Sequence, residues 1–290
     1  MYATTNFIVF YMTSQIRSKA KATVWTVENG NISKRQDHIT TEEPLEIRLD
    51  TDARTIAVTM RTPGADFELT AGFLYSEGII NSKQDIQKMR YCVNDDVDGE
   101  QRYNIVNVEL RPEIKPDLQP LERHFYTNSA CGVCGKANIE ALRMRNYPQI
   151  PKQQKVTPDI IYSLPEKLRG AQSIFTATGG LHAAALFNSN GELQNLYEDI
   201  GRHNAVDKLI GSALLSKELP LNNHIIMVSG RSSFEILQKS TAAGIPILCA
   251  VSAPSSLAIS IAQEFGITLI GFLRGNRFNV YSGIERIVIT

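Results

Sequence analysis

The hydrophobic pattern of the first half of the chain is typical of short strands around one helix. Runs rich in β-branched residues predict strands at residues 23–27, 45–49, 55–60, 89–93 and 103–110. A helix should follow the turn at Pro63 and Gly64, because apolar positions recur at helical spacing from Phe67 to Leu74. Gly78 should end this helix. Together these elements predict a small α+β unit.

The second half alternates compact apolar runs with helical patterns, as in a sheet covered by helices. Predicted strands lie at residues 173–178, 183–187, 193–197, 225–229, 245–251 and 267–273, and predicted helices at residues 234–243 and 255–265. A hairpin turn at residues 188–191 should join the second and third of these strands. The strand-helix-strand-helix-strand order at the end of the chain predicts parallel pairing with right-handed crossovers.

Prolines interrupt the pattern between Arg111 and Pro120, and no regular element can contain all of them. We place a domain boundary there. The predicted organisation is an N-terminal arm at residues 1–20, a small α+β domain at residues 21–115 and a larger α/β domain at residues 116–290. The apolar run at residues 7–12 follows no basic residue and is too short for a signal peptide or a membrane span.

The composition excludes several classes of protein. The chain has 290 residues, 43% of them hydrophobic, and its 30 basic residues balance 30 acidic ones. These fractions lie close to globular averages and exclude a disordered or fibrous chain. Zero net charge provides no overall field to attract nucleic acid or an anionic membrane, so a polyanionic ligand needs a local site. Four cysteines are too few for a disulfide framework, and we expect a cytoplasmic protein.

Small, hydroxyl and arginine residues follow the three strands that are predicted to be parallel. The segments are 229–231 (SGR), 251–254 (VSAP) and 273–277 (LRGNR). Ligands of such sheets bind beyond the carboxyl ends of the strands, so these segments should meet at one edge. Their residue types suit a ligand that carries phosphate.

The most reactive stretch contains two cysteines, Cys131 and Cys134, each followed by a glycine. A helix is predicted to start after Lys136, near residues 137–144. Thiols close to a helix N-terminus and a lysine are more readily deprotonated, and the thiolate is the form that attacks sulfur. The flexible glycines would let a partner protein reach the thiol. The motif therefore favours nucleophilic sulfur chemistry.

Three alternatives compete for this motif. Both cysteines could be small packing residues. A zinc site would need further ligands, which His124, His182 and His203 could supply. A thioredoxin-type dithiol is the third alternative, although Val133 occupies the position where that motif normally has proline. The other two cysteines of the chain, at positions 92 and 249, lie in apolar runs and should be structural.

The stretch EDIGRHNAVDK is the second candidate for ligand binding. Gly201 precedes a predicted helix with free backbone N–H groups, and Arg202 offers a planar guanidinium that can bind phosphate. Asp199 or Asp207 could bind a guanine edge or a ribose hydroxyl. Alternatively, the charged residues of this stretch form a solvated helix start with local ion pairs. His182, in the glycine-containing segment that precedes this stretch along the chain, could contact a ligand or could be a hydrogen-bonded residue at a strand start.

Taken together, these motifs resemble the FdhD/NarQ family of sulfur carriers or sulfurtransferases needed for formate dehydrogenase activity. The matching segments are 61–64 (RTPG), 68–78 (ELTAGFLYSEG), 131–135 (CGVCG), 180–184 (GLHAA), 198–208 (EDIGRHNAVDK), 229–231 (SGR), 271–274 (GFLR) and 277–281 (RFNVY). They extend over most of the chain. Several long motifs in the right order are far more specific than a single C-x-x-C.

The resemblance implies sulfur transfer between proteins. In this family a cysteine desulfurase passes persulfide sulfur to the cysteine motif. The carrier then delivers the sulfur to the molybdenum of bis(molybdopterin guanine dinucleotide) before this cofactor is inserted into formate dehydrogenase. The persulfide would form on Cys131, with Cys134 as a second thiol or relay. A homodimer is expected, whereas binding to nucleic acid or to a membrane is not.

The family binds the cofactor through a late motif, which in this chain comprises Phe272, Leu273, Arg274, Gly275, Asn276 and Arg277. This position agrees with the phosphate site expected at the carboxyl edge of the sheet, where the two arginines can pair with pyrophosphate oxygens. From the local pattern we add Ser252, Arg202 and Asp199. A guanine nucleotide such as GDP should mimic the cofactor.

The larger domain of the family resembles the cytidine deaminase fold, which implies an α/β domain with three αβα layers. Zinc deaminases use H-x-E followed by P-C-x-x-C, and the glutamate moves protons. The comparable stretch here is His182-Ala183-Ala184, which lacks the carboxylate, and the C-x-x-C precedes the histidine. The fold is therefore expected without the deaminase reaction.

Two functions of other classes remain as alternatives. The chain could be a nucleotide-binding redox switch, in which Cys131 and Cys134 alternate between dithiol and disulfide and deliver no sulfur. It could also be a structural zinc module that only holds a partner protein. Metal analysis and thiol titration distinguish these functions from a persulfide carrier.

Overall fold

The computed structural model describes residues 18–50, 54–92, 101–116, 118, 142–143 and 147–288. The predictions for Cys131, Cys134 and Lys136 fall outside these residues. So do the predicted arm up to residue 17 and most of the helix expected at residues 137–144. The proposed domain limits stay a prediction. No helix in the described ranges is long and apolar enough to cross a membrane.

A hairpin and a four-stranded sheet form the first half of the described chain. The hairpin pairs β1 (Lys19–Glu28) with β2 (Asn31–Thr40). The sheet contains β3 (Glu43–Leu49), β4 (Arg54–Arg61), β5 (Ile86–Tyr91) and β6 (Ile105–Leu110) in the order β4-β3-β6-β5. Helix α1 (Asp66–Ser76) packs on one face of this sheet. The predicted strands and helix of this half are confirmed, with small shifts at their ends.

Alternation of side chains places the first hydrophobic core under α1. Leu45, Ile47 and Leu49 of β3 are all buried, while the residues between them are partly exposed. Leu69 and Leu74 of α1 belong to the same core. Alternate residues of a strand point to opposite faces, so one face of the sheet is apolar and receives the helix.

Strand β2 was not predicted, because its sequence, NISKRQDHIT, is almost entirely polar. The sequence feature that marks β2 as a hairpin strand is the turn that precedes it. Asn29 and Gly30 have φ angles of 51° and 81°, the left-handed conformation that a two-residue hairpin turn requires. Backbone pairing with β1 therefore makes β2 a strand without an apolar face.

The second half of the chain forms a larger sheet with six strands in the described residues. Its strands are β7 (His182–Asn188), β8 (Leu193–Asp199), β9 (His224–Val228), β10 (Ile247–Ala250), β11 (Thr268–Arg274) and β12 (Arg277–Ser282), in the order β12-β11-β10-β9-β7-β8. Strands β9, β10 and β11 are parallel, as predicted. Strand β7 runs antiparallel to β9, and β8 runs antiparallel to β7.

Helices cover both faces of this sheet and give the predicted three αβα layers. Helix α2 (Pro158–Ala171) lies on one face with α3 (Ser173–Thr178) following it along the chain, and Ile161 and Leu164 pack against Phe187 and Met227. The other face is covered by α4 (Arg202–Leu215), α5 (Phe234–Ala242) and α6 (Ser256–Phe265). Helix α2 was not predicted. The expected α/β architecture is confirmed.

The prediction of a strand at residues 173–178 is wrong, because this segment is helix α3. Its apolar and β-branched residues suit a strand, but a tertiary contact decides otherwise. The Glu198 carboxylate at the end of β8 accepts backbone N–H groups from Ile174 at 2.9 Å and Phe175 at 2.7 Å. A carboxylate on the free N–H groups of a first turn stabilises a helix there. Gly179, with φ of 72°, ends it.

We expect Glu198→Gln to destabilise the protein by about 1–2 kcal/mol, because the amide loses the charge and one of two acceptor oxygens at the α3 N-terminus. Urea denaturation followed by circular dichroism measures this loss. The exposed Glu166 of α2 provides the matched control, and Glu166→Gln should change the free energy of unfolding by less than about 0.5 kcal/mol. Equal effects of the two substitutions would contradict this role of Glu198.

Helices α1 and α4 cross in direct backbone contact and connect the two halves of the chain. A Cβ atom added to Gly211 of α4 would lie 2.6 Å from the backbone nitrogen of Gly72 in α1. One added to Gly72 would lie 2.6 Å from the carbonyl carbon of Asp207. Only glycine allows this approach of two helices. The crossing fixes the start of α4, and thereby Arg202 and His203, relative to the first half of the chain.

Candidate functional site

Six strand ends meet at one edge of the six-stranded sheet. Strands β8, β9, β10 and β11 end there. Strands β7 and β12 begin there, because they run antiparallel to β9 and β11 respectively. His182, the first residue of β7, lies opposite Asp199, the last residue of β8. The segments after residues 228, 250 and 274 follow on the same side. The prediction that these strand ends share one edge is confirmed.

The predicted cofactor motif forms the end of β11 and the hairpin turn that leads into β12. Arg274 and Arg277 face each other across the two-residue turn of Gly275 and Asn276, and all four residues are exposed. Gly275 has φ of 51°, as such a turn requires. Leu273, in contrast, is fully buried in the core, so only its backbone can face a ligand. The hairpin thus presents two adjacent guanidinium groups to solvent, an arrangement that suits phosphate oxygens.

Phe272 combines an unusual backbone conformation with an exposed ring. Its φ is 52°, its side chain is 42% exposed, and the pairing of β11 with β12 shifts register between Gly271 and Arg274. Its N–H donates to the carbonyl of Ser252 at 3.2 Å, which joins the segment after β10 to the late motif. A bulky residue at positive φ is strained, and such strain concentrates at functional sites. The conformation holds an aromatic ring beside the arginine hairpin.

A second group of polar residues surrounds Gly230, after β9. A Cβ atom added to this glycine would lie 3.4 Å from Nδ1 of His182 and 3.6 Å from Cδ of Arg202. His203, the next residue of α4, has Nε2 3.1 Å from Oγ of Ser233 at the start of α5. Three elements therefore bring two histidines and an arginine together. The sequence suggested both histidines as possible zinc ligands, and His182 also as a ligand contact or a hydrogen-bonded residue at a strand start, but it did not associate them with Arg202.

Both histidines are neutral at neutral pH. Burial, and then the charge of Arg202, lower the pKa of His182, while Asp199 partly opposes this shift. For His203 the same two causes lower the pKa to about 4, against the opposing carboxylate of Glu235. A neutral imidazole has one nitrogen that donates and one that accepts, so each histidine can exchange a proton with a bound ligand.

Asp199 is not at the accessible edge, which corrects its prediction as a direct cofactor ligand. It is fully buried, and one carboxylate oxygen accepts N–H groups from Gly201 at 2.8 Å and Asn204 at 3.1 Å. The other oxygen lies 2.7 Å from Nζ of Lys208 and accepts the N–H of Thr62 at 3.2 Å. No oxygen is left for a guanine base or a ribose. Asp199 instead fixes the start of α4, from which Arg202 projects.

Asp207 is also buried, at 3% exposed, and forms an ion pair with Lys239 of α5 at 2.8 Å. It cannot reach a ligand either. The alternative of a solvated helix start with local ion pairs is confirmed for one local pair, Asp199 with Lys208 at 2.7 Å. It is wrong about solvation, because these residues are buried, and Asp207 pairs with a different helix. The periodicity of one segment contains no information about a partner that lies 32 residues further along the chain.

Two of the four cysteines lie in the described part of the chain. Cys92 and Cys249 are both buried free thiols, which confirms them as structural residues. Burial raises the pKa of Cys249, so its thiol stays protonated and unreactive. The assignments of Cys131 and Cys134 lie outside the described residues and stay predictions.

Comparison with known proteins gives a consistent result over almost the whole chain. The model of the FdhD/NarQ family matches residues 40–288. The sulfur carrier protein FdhD of Streptomyces coelicolor is 50% identical over 270 residues, which cover 91% of this chain and 93% of that protein. The protein of the same name from Sulfurisphaera tokodaii is 47% identical over 266 residues, covering 91% and 97%.

A solved structure supports the same family assignment. The crystal structure of a candidate formate dehydrogenase accessory protein from Desulfotalea psychrophila superposes with a TM-score of 0.71 at 26% identity, covering 94% of this chain and all of that one. The resemblance drawn from the sequence motifs is therefore confirmed. The chain belongs to the FdhD/NarQ family.

Proposed function

We propose that this protein is a sulfur carrier, which accepts persulfide sulfur from a cysteine desulfurase and transfers it to the molybdenum of bis(molybdopterin guanine dinucleotide) for formate dehydrogenase. The observation that carries the proposal is the 50% identity, across nine-tenths of the chain, to a protein named sulfur carrier protein FdhD. The geometry supports it with an edge suited to an anionic nucleotide. Arg274 and Arg277 are exposed there beside the aromatic ring of Phe272.

The first step exchanges one sulfur–sulfur bond for another. The Cys131 thiolate attacks the outer sulfur of the desulfurase cysteine persulfide, and the bond from that sulfur to the desulfurase cysteine breaks. Cys131 then carries the outer sulfur with its proton, and the desulfurase cysteine leaves as a thiolate. No electrons are gained or lost overall. Cys134 serves as the second thiol or relay.

The cofactor is the substrate of the second step. The arginines of the hairpin would bind its pyrophosphate oxygens through paired N–H groups, and the exposed face of Phe272 would stack on a guanine base. Both interactions need ligand groups that a guanine nucleotide also has. We therefore expect GDP to bind at this edge, and Arg277→Gln to weaken GDP binding about tenfold, as loss of a charged phosphate contact of about 1.4 kcal/mol implies.

The carrier step has a direct test. The full chain is incubated with a cysteine desulfurase and cysteine, and sulfur uptake is followed by intact mass. We expect wild-type protein to gain sulfur and Cys131→Ala to gain none. Cys249→Ala is the control, because this thiol is fully buried and should not affect uptake. Wild-type sulfur uptake by Cys131→Ala would overturn the assignment. A reversible disulfide with no sulfur uptake by the wild type would instead favour a redox switch.

A further inference from the structure

The residues around Gly230 form a site that is separate from the arginine hairpin. His182 lies on β7 and the hairpin follows β11, with β9 and β10 between them. Three strand spacings of about 4.8 Å separate the two sites laterally by about 14 Å. The two groups of residues therefore lie at different positions along the edge. The proposed cofactor site on the hairpin therefore does not account for His182, Arg202 and His203.

Two buried polar atoms at this part of the sheet edge lack partners among the described residues. One is Nε of Arg202, and the other is Oγ of Ser232. Ser232 is completely buried and directly precedes Ser233, which begins α5 and contacts His203. Buried polar atoms are nearly always paired, because desolvating them without a hydrogen bond costs about 1–3 kcal/mol each. An acceptor oxygen of a ligand beside Gly230 would satisfy the Arg202 donor.

The charges around the site leave it positive. His203 faces Arg202, Lys239, Glu235 and His182, and His182 faces Arg202 and Asp199. Lys239 and Asp199 are each neutralised by a buried ion pair, with Asp207 and Lys208 respectively. Glu235 is 54% exposed and lies 3.6 Å from His203, so solvent screens much of its charge. Arg202 attracts Glu235 but forms no ion pair with the described residues, and α5 adds the positive end of its dipole.

We propose that Arg202, His182, His203 and Ser233 bind a phosphoryl group at this second site, and that binding is accompanied by proton uptake on the two histidines. The guanidinium and the Ser233 hydroxyl supply donors that match phosphate oxygens. The source of this phosphoryl group rests on the proposed function, under which the group belongs to the second nucleotide arm of the bis-dinucleotide cofactor. The alternative source is free phosphate.

Proton uptake follows from the sign of the charges. Burial and Arg202 keep both imidazoles neutral in the free protein, and a bound anion offsets both causes by stabilising the charged form. The pKa values in the complex must then be higher than in the free protein. By linkage, affinity for a non-titrating anion rises as the pH falls from the pKa of the complex to that of the free histidines, and levels off below it.

The test follows the imidazole signals of the full chain by NMR. Sulfate is the first probe, because it does not titrate in this range. We expect saturating sulfate to raise the pKa of His203, about 4 in the free protein, by at least about one unit, and to raise that of His182 as well. Arg202→Gln should abolish the response, and Arg277→Gln on the hairpin should keep it.

GDP and inorganic phosphate are then added separately, to distinguish the two sources. If GDP shifts both histidines and its stoichiometry falls from two to one in Arg202→Gln, the site binds the second nucleotide arm. If only phosphate and sulfate shift them, it binds free phosphate. If sulfate, phosphate and GDP all leave both histidines unchanged, the proposal is wrong. Sulfur uptake by Cys131 is measured independently, so that outcome leaves the carrier function standing.

Discussion

Gly211→Ala should destabilise the protein by about 3 kcal/mol or more, although alanine is the better helix former. The added Cβ would lie 2.8 Å from the backbone carbonyl carbon of Glu68 and 2.6 Å from the backbone nitrogen of Gly72. Both are backbone atoms of α1, so no side chain can rotate away. The helices must separate, which opens the contact between the two halves of the chain.

Thermal and chemical denaturation of the full chain measure this effect, and the melting temperature should fall by roughly 10 °C. Gly170→Ala in α2 is the matched control, because a Cβ there meets nothing within 4 Å. That substitution should stabilise the protein by up to about 1 kcal/mol. Unchanged stability of Gly211→Ala would show that α1 and α4 do not cross as closely as described.

Lys239→Met should cost about 3–5 kcal/mol at neutral pH, because it leaves the carboxylate of Asp207 buried without its cation. Nζ of Lys239 lies 2.8 Å from this carboxylate, which also accepts a hydrogen bond from the hydroxyl of Ser76 at 3.2 Å. Burial already raises the pKa of Asp207 from 3.8 to about 6 against the attraction of Lys239. Without the lysine the pKa must rise further.

The pH dependence distinguishes this electrostatic cost from a packing defect. A carboxyl group whose pKa is higher in the folded protein than in the unfolded chain stabilises the fold fully below the unfolded value of about 3.9, and loses that contribution as the pH rises. The deficit of Lys239→Met should therefore be small near pH 4 and largest above the raised pKa, when measured by urea denaturation. The exposed Lys21→Met is the control and should change little. A deficit that does not vary with pH would contradict this explanation.

Much of the motif sequence serves packing rather than ligand binding. Arg61 of the RTPG segment is 1% exposed and forms a bidentate ion pair with Asp66, at 3.0 Å for both contacts, at the start of α1. Lys208 donates to the carbonyl of Thr62 at 2.9 Å. The contact of Lys208 with Thr62 joins the segments 61–78 and 198–208, which are far apart in the chain. A shared buried interface explains why both segments are rich in charge yet largely inaccessible.

The sequence by itself determined the elements that local periodicity encodes. The alternating strands around Leu45 and the parallel strands β9 to β11 were predictable, since a period of two or a compact apolar run is a property of the segment alone. The edge that holds the arginine hairpin followed from strand order, because carboxyl ends of parallel strands lie together. The order of the motifs was also sufficient to identify the family.

The tertiary structure decided what depends on partners distant in sequence. Residues 173–178 form a helix because the carboxylate of Glu198, beyond the next strand, binds their N–H groups. Asp207 is an interior ion-pair residue because its cation, Lys239, comes from α5. A composition with zero net charge could exclude only a general attraction for anions. The folded chain concentrates positive charge at the sheet edge. Lys208 and Lys239 are neutralised in the interior, whereas Arg202 and the hairpin arginines form no ion pair with acidic residues in the described part of the chain.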